Sequence, residues 1–155
     1  MVFLFLCYVL LQGKTAQACV FFNYAYSSGL LTTPTLVAAP ASLVDNWLRE
    51  LDMWAPHLSG RVVKYAGKQS ERRSIAFECI DSLQGPNPFC VLVASVNSFS
   101  NKWDVQYLRQ LRPFAYLVVD EAHALKNKDS QVYKNINRMA KCERRILLTG
   151  YVSSG

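Results

Sequence analysis

The chain has 155 residues, of which 51% are hydrophobic and 18% are charged, and its formal net charge is +6. This length allows one domain with a substantial core and is short for two, while the composition excludes an intrinsically disordered chain. The positive balance suits a polyanionic partner, although a basic, solvated helix face is the commoner cause of a local surplus such as that between Ala124 and Arg145.

The first eleven residues are almost wholly apolar, and Ala16-Gln17-Ala18 resembles a signal-peptidase site. A secretory signal is therefore one interpretation. Against it, no positive charge precedes the apolar run, and Lys14 lies between that run and the supposed cleavage site. The run is also too short to span a bilayer. We expect a buried strand from Phe3 to Leu10, with the secretory signal as the alternative.

Helical and strand patterns then alternate along the chain, joined by short loops. Strands are predicted at Thr35–Ala39, Arg61–Tyr65, Phe89–Ala94, Ala115–Val119 and Arg145–Leu148. Helices are predicted from Ala16 to about Ser27, from a Ser42 cap to Trp54, from a Ser70 cap to Leu83, from Trp103 to Leu111, and from about Ser130 to Ala140. This alternation predicts an α/β fold, with a parallel sheet covered by helices on both faces.

The cysteines are odd in number, widely spaced and without a C-x-x-C pair: Cys7, Cys19, Cys79, Cys90 and Cys142. This pattern indicates neither a disulfide framework nor a zinc site, and it is typical of a reducing compartment. We expect most of these side chains to be small core residues.

Two carboxylates, Asp120 and Glu121, follow directly after the apolar run Tyr116–Val119. Such a run predicts a buried parallel strand, and ligands bind at the carboxyl ends of parallel strands. Buried carboxylates are costly unless they meet a cation or a donor. Asp120 is therefore a candidate magnesium ligand, and Glu121 is a candidate to orient or deprotonate an attacking water. His123 is a candidate to couple this site to neighbouring motifs.

Upstream, Gly13-Lys14-Thr15 supplies the complementary chemistry for a nucleoside triphosphate. Backbone N–H groups at a helix N-terminus can cradle phosphates, the lysine can neutralise phosphate charge, and the threonine hydroxyl can join the magnesium shell. With the adjoining Gln12, these residues form the candidate nucleotide-binding set. Alone, the tripeptide would be read as an ordinary loop, but its combination with Asp120 and Glu121 favours a nucleotide site.

Four segments succeed one another in order: Gly13-Lys14-Thr15, Val37–Leu43, Asp120-Glu121-Ala122-His123 and Leu147-Leu148-Thr149-Gly150. They resemble motifs I, Ia, II (a DEAH box) and III of the Swi/Snf-type ATPases, a chromatin-remodelling branch of the superfamily 2 helicases. Flanking segments are most similar to the SMARCAD-type (Etl-like) branch: Asp45–Glu50, Tyr65–Gly67, Glu71–Arg73 and Ala122–Asn127.

The resemblance implies a single RecA-like (P-loop NTPase) lobe that uses ATP and Mg²⁺ and serves a nuclear DNA translocase acting on duplex DNA and nucleosomes. It implies that His123, Thr149 and Gly150 couple nucleotide state to movement. It also implies that backbone and hydroxyl groups around Ser42, Ser95 and Asn97 touch DNA, contacts that would carry no sequence information. No membrane partner is expected.

The chain also departs from the family pattern. Leu11 stands where a phosphate-loop glycine is expected, and a branched side chain resists the backbone conformation that glycine permits. We expect residues 1–155 to be one ATP-binding lobe, incomplete at both ends and without the second lobe. Arginines from a second lobe contribute on the order of 10³–10⁵ in rate. An inactive fragment that binds only nucleotide or protein is therefore the alternative function, and a secreted protein is a third hypothesis.

Overall fold

A computed structural model describes residues 13–121, 127, 129–139 and 142–148. Five strands and five α-helices lie in these ranges. In chain order they are α1 Lys14–Ser27, β1 Thr35–Ala39, α2 Val44–Trp54, β2 Val62–Tyr65, α3 Gln69–Gln84, β3 Val91–Ser95, α4 Lys102–Gln110, β4 Phe114–Val119, α5 Gln131–Met139 and β5 Cys142–Leu147. Short 3-10 turns occupy Ala41–Leu43, Pro56–Leu58 and Val96–Ser100.

The five strands form one sheet in the order β2-β3-β1-β4-β5, and every neighbouring pair is parallel. All residues of β1, β3 and β4 are buried, as expected for strands covered on both faces. The predicted α/β class with an all-parallel sheet is therefore confirmed.

Two apolar clusters fill the space on either side of the sheet. On one side, α1 and α2 pack their buried side chains, Phe22, Trp47 and Leu51 among them, against β1, β3 and β4. On the other side, α3, α4 and α5 contribute residues such as Cys79 and Leu108. The sheet thus lies between two helical layers, which leaves the ends of its strands as the place for a ligand.

The predicted elements that fall within the described ranges are found with end shifts of up to three residues, but two predicted helix caps are wrong. Ser42 lies inside the 3-10 turn that precedes α2, and Leu43 takes the cap position without a side-chain bond. Ser70 is the second residue of α3, whose cap position belongs to Lys68. The Glu71 carboxylate accepts a hydrogen bond from the Lys68 N–H at 2.7 Å and so stabilises the start of the helix from within.

The spacing of apolar residues in α2 places Trp47 and Trp54 on one apolar face, which predicts a core position for both. Trp47 is fully buried, as expected, but Trp54 is 45% exposed, so its predicted place in the core is wrong. The cause is its position as the last residue of α2, where the chain turns toward Pro56. The predicted strand Phe3–Leu10 and the alternative signal segment lie outside the described residues. No helix in the described ranges has both the length and the apolar content to cross a bilayer.

Four cysteines fall within the described ranges, and all four are free thiols. Three of them are buried and the fourth, Cys142, is partly exposed, which confirms most as small core residues. Burial raises the pKa of the Cys19 thiol to about 12 and that of Cys79 to about 11, because a thiolate would lose its hydration there.

A buried ion pair joins α3 to α4 on one side of the sheet. The Arg72 guanidinium donates to both Asp104 carboxylate oxygens, at 3.0 and 2.8 Å, and to the Gly67 carbonyl oxygen at 2.6 Å. The Tyr65 hydroxyl donates to the same carboxylate at 2.7 Å. Burial and this bond raise the pKa of Tyr65, while the bond to Asp104 raises that of Arg72. The network fastens the end of β2 to both helices.

Gly67 is required by this arrangement. Its φ of 97° lies in the left-handed region, and a Cβ atom there would collide with the Glu71 carboxylate that caps α3. The family-like segments Tyr65–Gly67 and Glu71–Arg73 are therefore joined in one hydrogen-bonded network.

The buried network predicts that alanine substitutions of Asp104 and Asp45 lower the free energy of unfolding by very different amounts. Asp104→Ala would leave the Arg72 guanidinium and the Tyr65 hydroxyl without their shared acceptor, so we expect a loss of about 3 kcal/mol in the free energy of unfolding. Asp45→Ala is the matched control, because the Asp45 carboxylate pairs with Lys64 but its side chain is 73% exposed. Urea unfolding of the two variants measures the difference, and equal losses would contradict a dominant role for the buried network.

Candidate nucleotide and magnesium site

The C-terminal edge of the sheet brings Asp120 to the end of the central strands. Asp120 follows β4 directly, and its backbone N–H donates to the Ala38 carbonyl oxygen of β1 at 2.9 Å. On the other side, the Leu148 N–H donates to the Val119 carbonyl oxygen at 2.9 Å. The aspartate backbone is therefore still anchored to the sheet, and its side chain has a fixed origin.

The Asp120 carboxylate is nearly buried, with 8% of the residue exposed, and both of its oxygens accept hydrogen bonds. The Trp47 indole N–H donates to Oδ2 at 2.8 Å, and the Glu121 backbone N–H donates to Oδ1 at 2.9 Å. A carboxylate has about four lone-pair sites, so this one keeps acceptor capacity for a cation. It has the hard oxygen chemistry that Mg²⁺ prefers.

Glu121 has an unusual backbone conformation. Its φ is +50°, in the left-handed region, where a side chain with a Cβ is strained. Among non-glycine residues in the described ranges it is the one with a positive φ. Its side chain is partly exposed, at the point where the chain leaves β4. Strained residues of this kind concentrate at functional sites, which agrees with the predicted role of this carboxylate.

The candidate phosphate-binding residues begin α1. Gly13 takes the cap position with a φ of 109°, and its carbonyl oxygen accepts the first helical bond, from the Gln17 N–H, at 2.9 Å. Lys14 and Thr15 are the first two helical residues and are partly exposed. The first turn has no acidic side chain and no side-chain cap. Its N–H groups and its dipole therefore favour an anion.

Helix α1 is oriented so that this end approaches the site. A short connection leads from its C-terminal end, Ser27, to the start of β1 at Thr35. The helix has 14 residues and so runs back along the sheet for about 21 Å. Its N-terminus therefore lies toward the edge where β4 ends at Asp120. This direction of the helix is the one expected if the two predicted parts of the site meet at the carboxyl ends of the strands.

Four predicted site residues lie outside the described residues: Gln12, His123, Thr149 and Gly150. Within the described part of the chain, no three His, Cys, Asp or Glu side chains gather into a metal cluster. A magnesium ion that accompanies a nucleotide needs no such cluster, because one or two protein oxygens, phosphates and water complete its shell. Asp120 and Thr15 match this donor set.

Two of the three predicted DNA residues line a groove of about 770 Å³ at the same end of the sheet. Ser95 and Asn97 line it, together with residues at the ends of β2, α2 and α3. Ser95 is nearly buried, and its Oγ accepts the Asn97 N–H at 3.3 Å, so it also stabilises the turn after β3. Ser42 is exposed and is not among the groove-lining residues.

Sequence reasoning missed the contact of Trp47 with Asp120. The two residues are 73 positions apart, and Trp47 was predicted only as a core residue. Its place on the apolar face of α2 was a correct signal for burial but contained no information about a partner. A buried indole N–H does require an acceptor, so the need for one was predictable although its identity was not.

The chain is similar in sequence and in fold to known proteins. The profile of the SNF2-related domain matches residues 11–151. A human protein, the SWI/SNF-related matrix-associated actin-dependent regulator of chromatin subfamily A containing DEAD/H box 1, is 38% identical over 139 residues, which cover 89% of this chain and 13% of that protein. Protein CHROMATIN REMODELING 19 of Arabidopsis thaliana is 33% identical over 144 residues, covering 89% of this chain and 18% of that protein.

Among solved structures, the Sulfolobus solfataricus SWI2/SNF2 ATPase core in complex with dsDNA is similar, with a TM-score of 0.69 and 27% identity, over 90% of this chain and 26% of that chain. The fold is therefore the RecA-like fold of an SNF2 ATPase core. The chain belongs to the SNF2-related domain family. It spans less than a fifth of the length of these curated relatives.

The left-handed conformation of Glu121 predicts that glycine is more stable than alanine at this position, the reverse of their order inside a helix. With a left-handed backbone, Glu121→Gly is expected to be more stable than Glu121→Ala by about 1 kcal/mol, because only alanine keeps the strained Cβ. Glu78, exposed within α3, provides the control pair, where glycine is expected to be less stable than alanine by a similar amount. Urea unfolding measures all four variants. The same order at both sites would contradict strain at Glu121.

Proposed function

We propose that this chain is the ATP- and Mg²⁺-binding lobe of a chromatin-remodelling DNA translocase. The observation that carries the proposal is the buried Asp120 carboxylate at the end of β4, held by two hydrogen bonds. Carboxylates at this edge are costly without a cation, and a nucleotide-bound magnesium is the cation that the neighbouring residues suit.

Each candidate residue has a distinct role in this proposal. The N–H groups that follow Gly13 would bind phosphate oxygens, and Lys14 would neutralise charge on the β- and γ-phosphates. Thr15 and Asp120 would hold the magnesium, Asp120 most simply through water. When bound, the ion supplies electrostatic stabilisation of the phosphates. Glu121 would orient the attacking water and accept its proton.

The groove lined by Ser95 and Asn97 is the proposed place for a DNA strand. Hydroxyl, amide and backbone groups there are suited to phosphate contacts, which position DNA without reading its sequence. The similar solved structure, the SWI2/SNF2 ATPase core of Sulfolobus solfataricus, is a complex with dsDNA, and this supports the assignment. Ser42 is exposed and follows the groove-lining residue Ala41 in the chain, so it would contribute more weakly.

Nuclear action on nucleosomes is proposed from the relatives, whose names describe regulators of chromatin. The SMARCAD-type branch is favoured because SWI/SNF-related regulators of chromatin subfamily A containing DEAD/H box 1 share 34–38% identity with the chain. His123, Thr149 and Gly150 would couple the nucleotide to movement, together with arginines from a second lobe.

Magnesium-dependent nucleotide binding tests the proposal. Lys14→Ala is expected to lower the affinity for a fluorescent ATP analogue at least tenfold, because the phosphates lose their cation. Glu121→Gln is expected to bind like the wild type, since it alters only the proposed water-orienting carboxylate. Lys102→Ala is the matched control, because Lys102 is the first residue of α4 just as Lys14 is the first residue of α1.

Fluorescence anisotropy with and without Mg²⁺ measures each affinity. Equal binding by the wild type and Lys14→Ala, or an equal loss with Lys102→Ala, would remove the proposed site from consideration.

A further inference from the structure

We propose that Trp47 is a positioning residue for the magnesium ligand: its indole N–H holds the Asp120 carboxylate in one orientation and leaves the carboxylate charge available to the cation. This inference rests on the proposed function, since it gives Trp47 a role toward the ion that Asp120 would hold.

The contact is built from two fully structured elements. Trp47 is the fourth residue of α2 and has none of its surface exposed, and its Nε1 lies 2.8 Å from Asp120 Oδ2. An indole nitrogen can donate but cannot accept, so this bond has one possible direction. A hydrogen bond to a charged oxygen is stronger than one between neutral groups, which makes it a firm restraint on both side chains.

The second carboxylate oxygen is restrained independently. Oδ1 accepts the Glu121 backbone N–H at 2.9 Å, from the residue held in the left-handed conformation. With one donor from α2 and one from the chain that leaves β4, the carboxylate cannot rotate about its Cβ–Cγ bond without losing a bond. The lone pairs that remain are therefore held in a fixed direction.

The neutrality of both donors is what suits a metal ligand. Elsewhere in the chain, the buried Asp104 carboxylate is bound on both oxygens by the Arg72 guanidinium, whose positive charge balances it. The donors to Asp120 are an indole and a backbone amide, which orient the carboxylate without supplying a charge. Neither of these two donors neutralises the carboxylate. Groups that orient metal ligands typically change metal affinity by about 10–100-fold when they are removed.

The contact itself is tested by the indole N–H resonances in a ¹H–¹⁵N NMR spectrum of the full chain. The sequence has three tryptophans, Trp47, Trp54 and Trp103, so each resonance can be assigned with one Trp→Phe variant. We expect the Trp47 signal to lie downfield of the other two, which are exposed, and to move in Asp120→Asn. A Trp47 signal that Asp120→Asn leaves in place would overturn the proposal.

The role toward the ion is tested by titrating Mg²⁺ into the chain loaded with a non-hydrolysable ATP analogue. Trp47→Phe keeps a ring in the core but removes the donor, and we expect it to weaken the apparent Mg²⁺ affinity about tenfold while metal-free nucleotide binding is unchanged. Trp54→Phe, on the exposed end of the same helix, is the matched control and should behave like the wild type.

The wild-type chain provides a readout that does not depend on the folding of a variant. Adding Mg²⁺ to the nucleotide-loaded protein is expected to shift the Trp47 indole resonance and to leave that of Trp103 in place. Normal magnesium-dependent binding without this shift, or with an unchanged Mg²⁺ affinity in Trp47→Phe, would overturn the role of Trp47 alone. Absence of any magnesium-dependent binding by the wild type would instead overturn the proposed function together with this role.

Discussion

The hydrogen-bonded burial of the Asp120 carboxylate is the interaction on which the site depends. A charge removed from water at the end of a buried strand needs donors, and the fold provides one from α2 and one from the backbone after β4. Both donors are in place only when α2 packs on the sheet and Glu121 takes its strained conformation. The packing of α2 in the core therefore also fixes the orientation of the Asp120 carboxylate.

The two buried aspartates show how one chain uses similar side chains differently. Asp104 is balanced by Arg72 and fastens α3 and α4 to the end of β2. Asp120 instead accepts hydrogen bonds from two neutral donors, an indole and a backbone amide. Helix α2 contributes Trp47 to Asp120, while Val44 and Asp45 at its start line the neighbouring groove. The same helix thus contacts both the proposed magnesium ligand and the proposed DNA surface.

Much of the fold was predictable because apolar runs and turn residues are local signals. The bounds of β1 agree with the prediction, and the all-parallel sheet follows from the alternation of strands and helices. The wrong predictions involve side chains whose roles depend on distant or competing partners. Ser42 and Ser70 are suitable caps by type, but the cap positions are occupied by Leu43 and Lys68.

The candidate site was predictable in part for the same reason. Asp120 and Lys14 could be recognised because each follows an apolar run that predicts a strand. The direction of α1 is consistent with a site at the carboxyl ends of the strands. The left-handed backbone of Glu121 and the indole donor from Trp47 could not be predicted, because they arise from how the layers pack. Hydrogen-bond partners that are 73 positions apart leave no periodic pattern in a single sequence.

Metal-directed cleavage tests the central claim most directly. Fe²⁺ would replace Mg²⁺ in the presence of ATP, and ascorbate with peroxide would generate radicals that cut the backbone beside the bound ion. The account predicts two nucleotide-dependent sets of cuts, one near residues 13–15 and one near residues 119–121. Cuts that are confined to the exposed acidic residues Asp45 and Asp52, or that do not depend on nucleotide, would contradict a nucleotide-bound magnesium ion at this edge of the sheet.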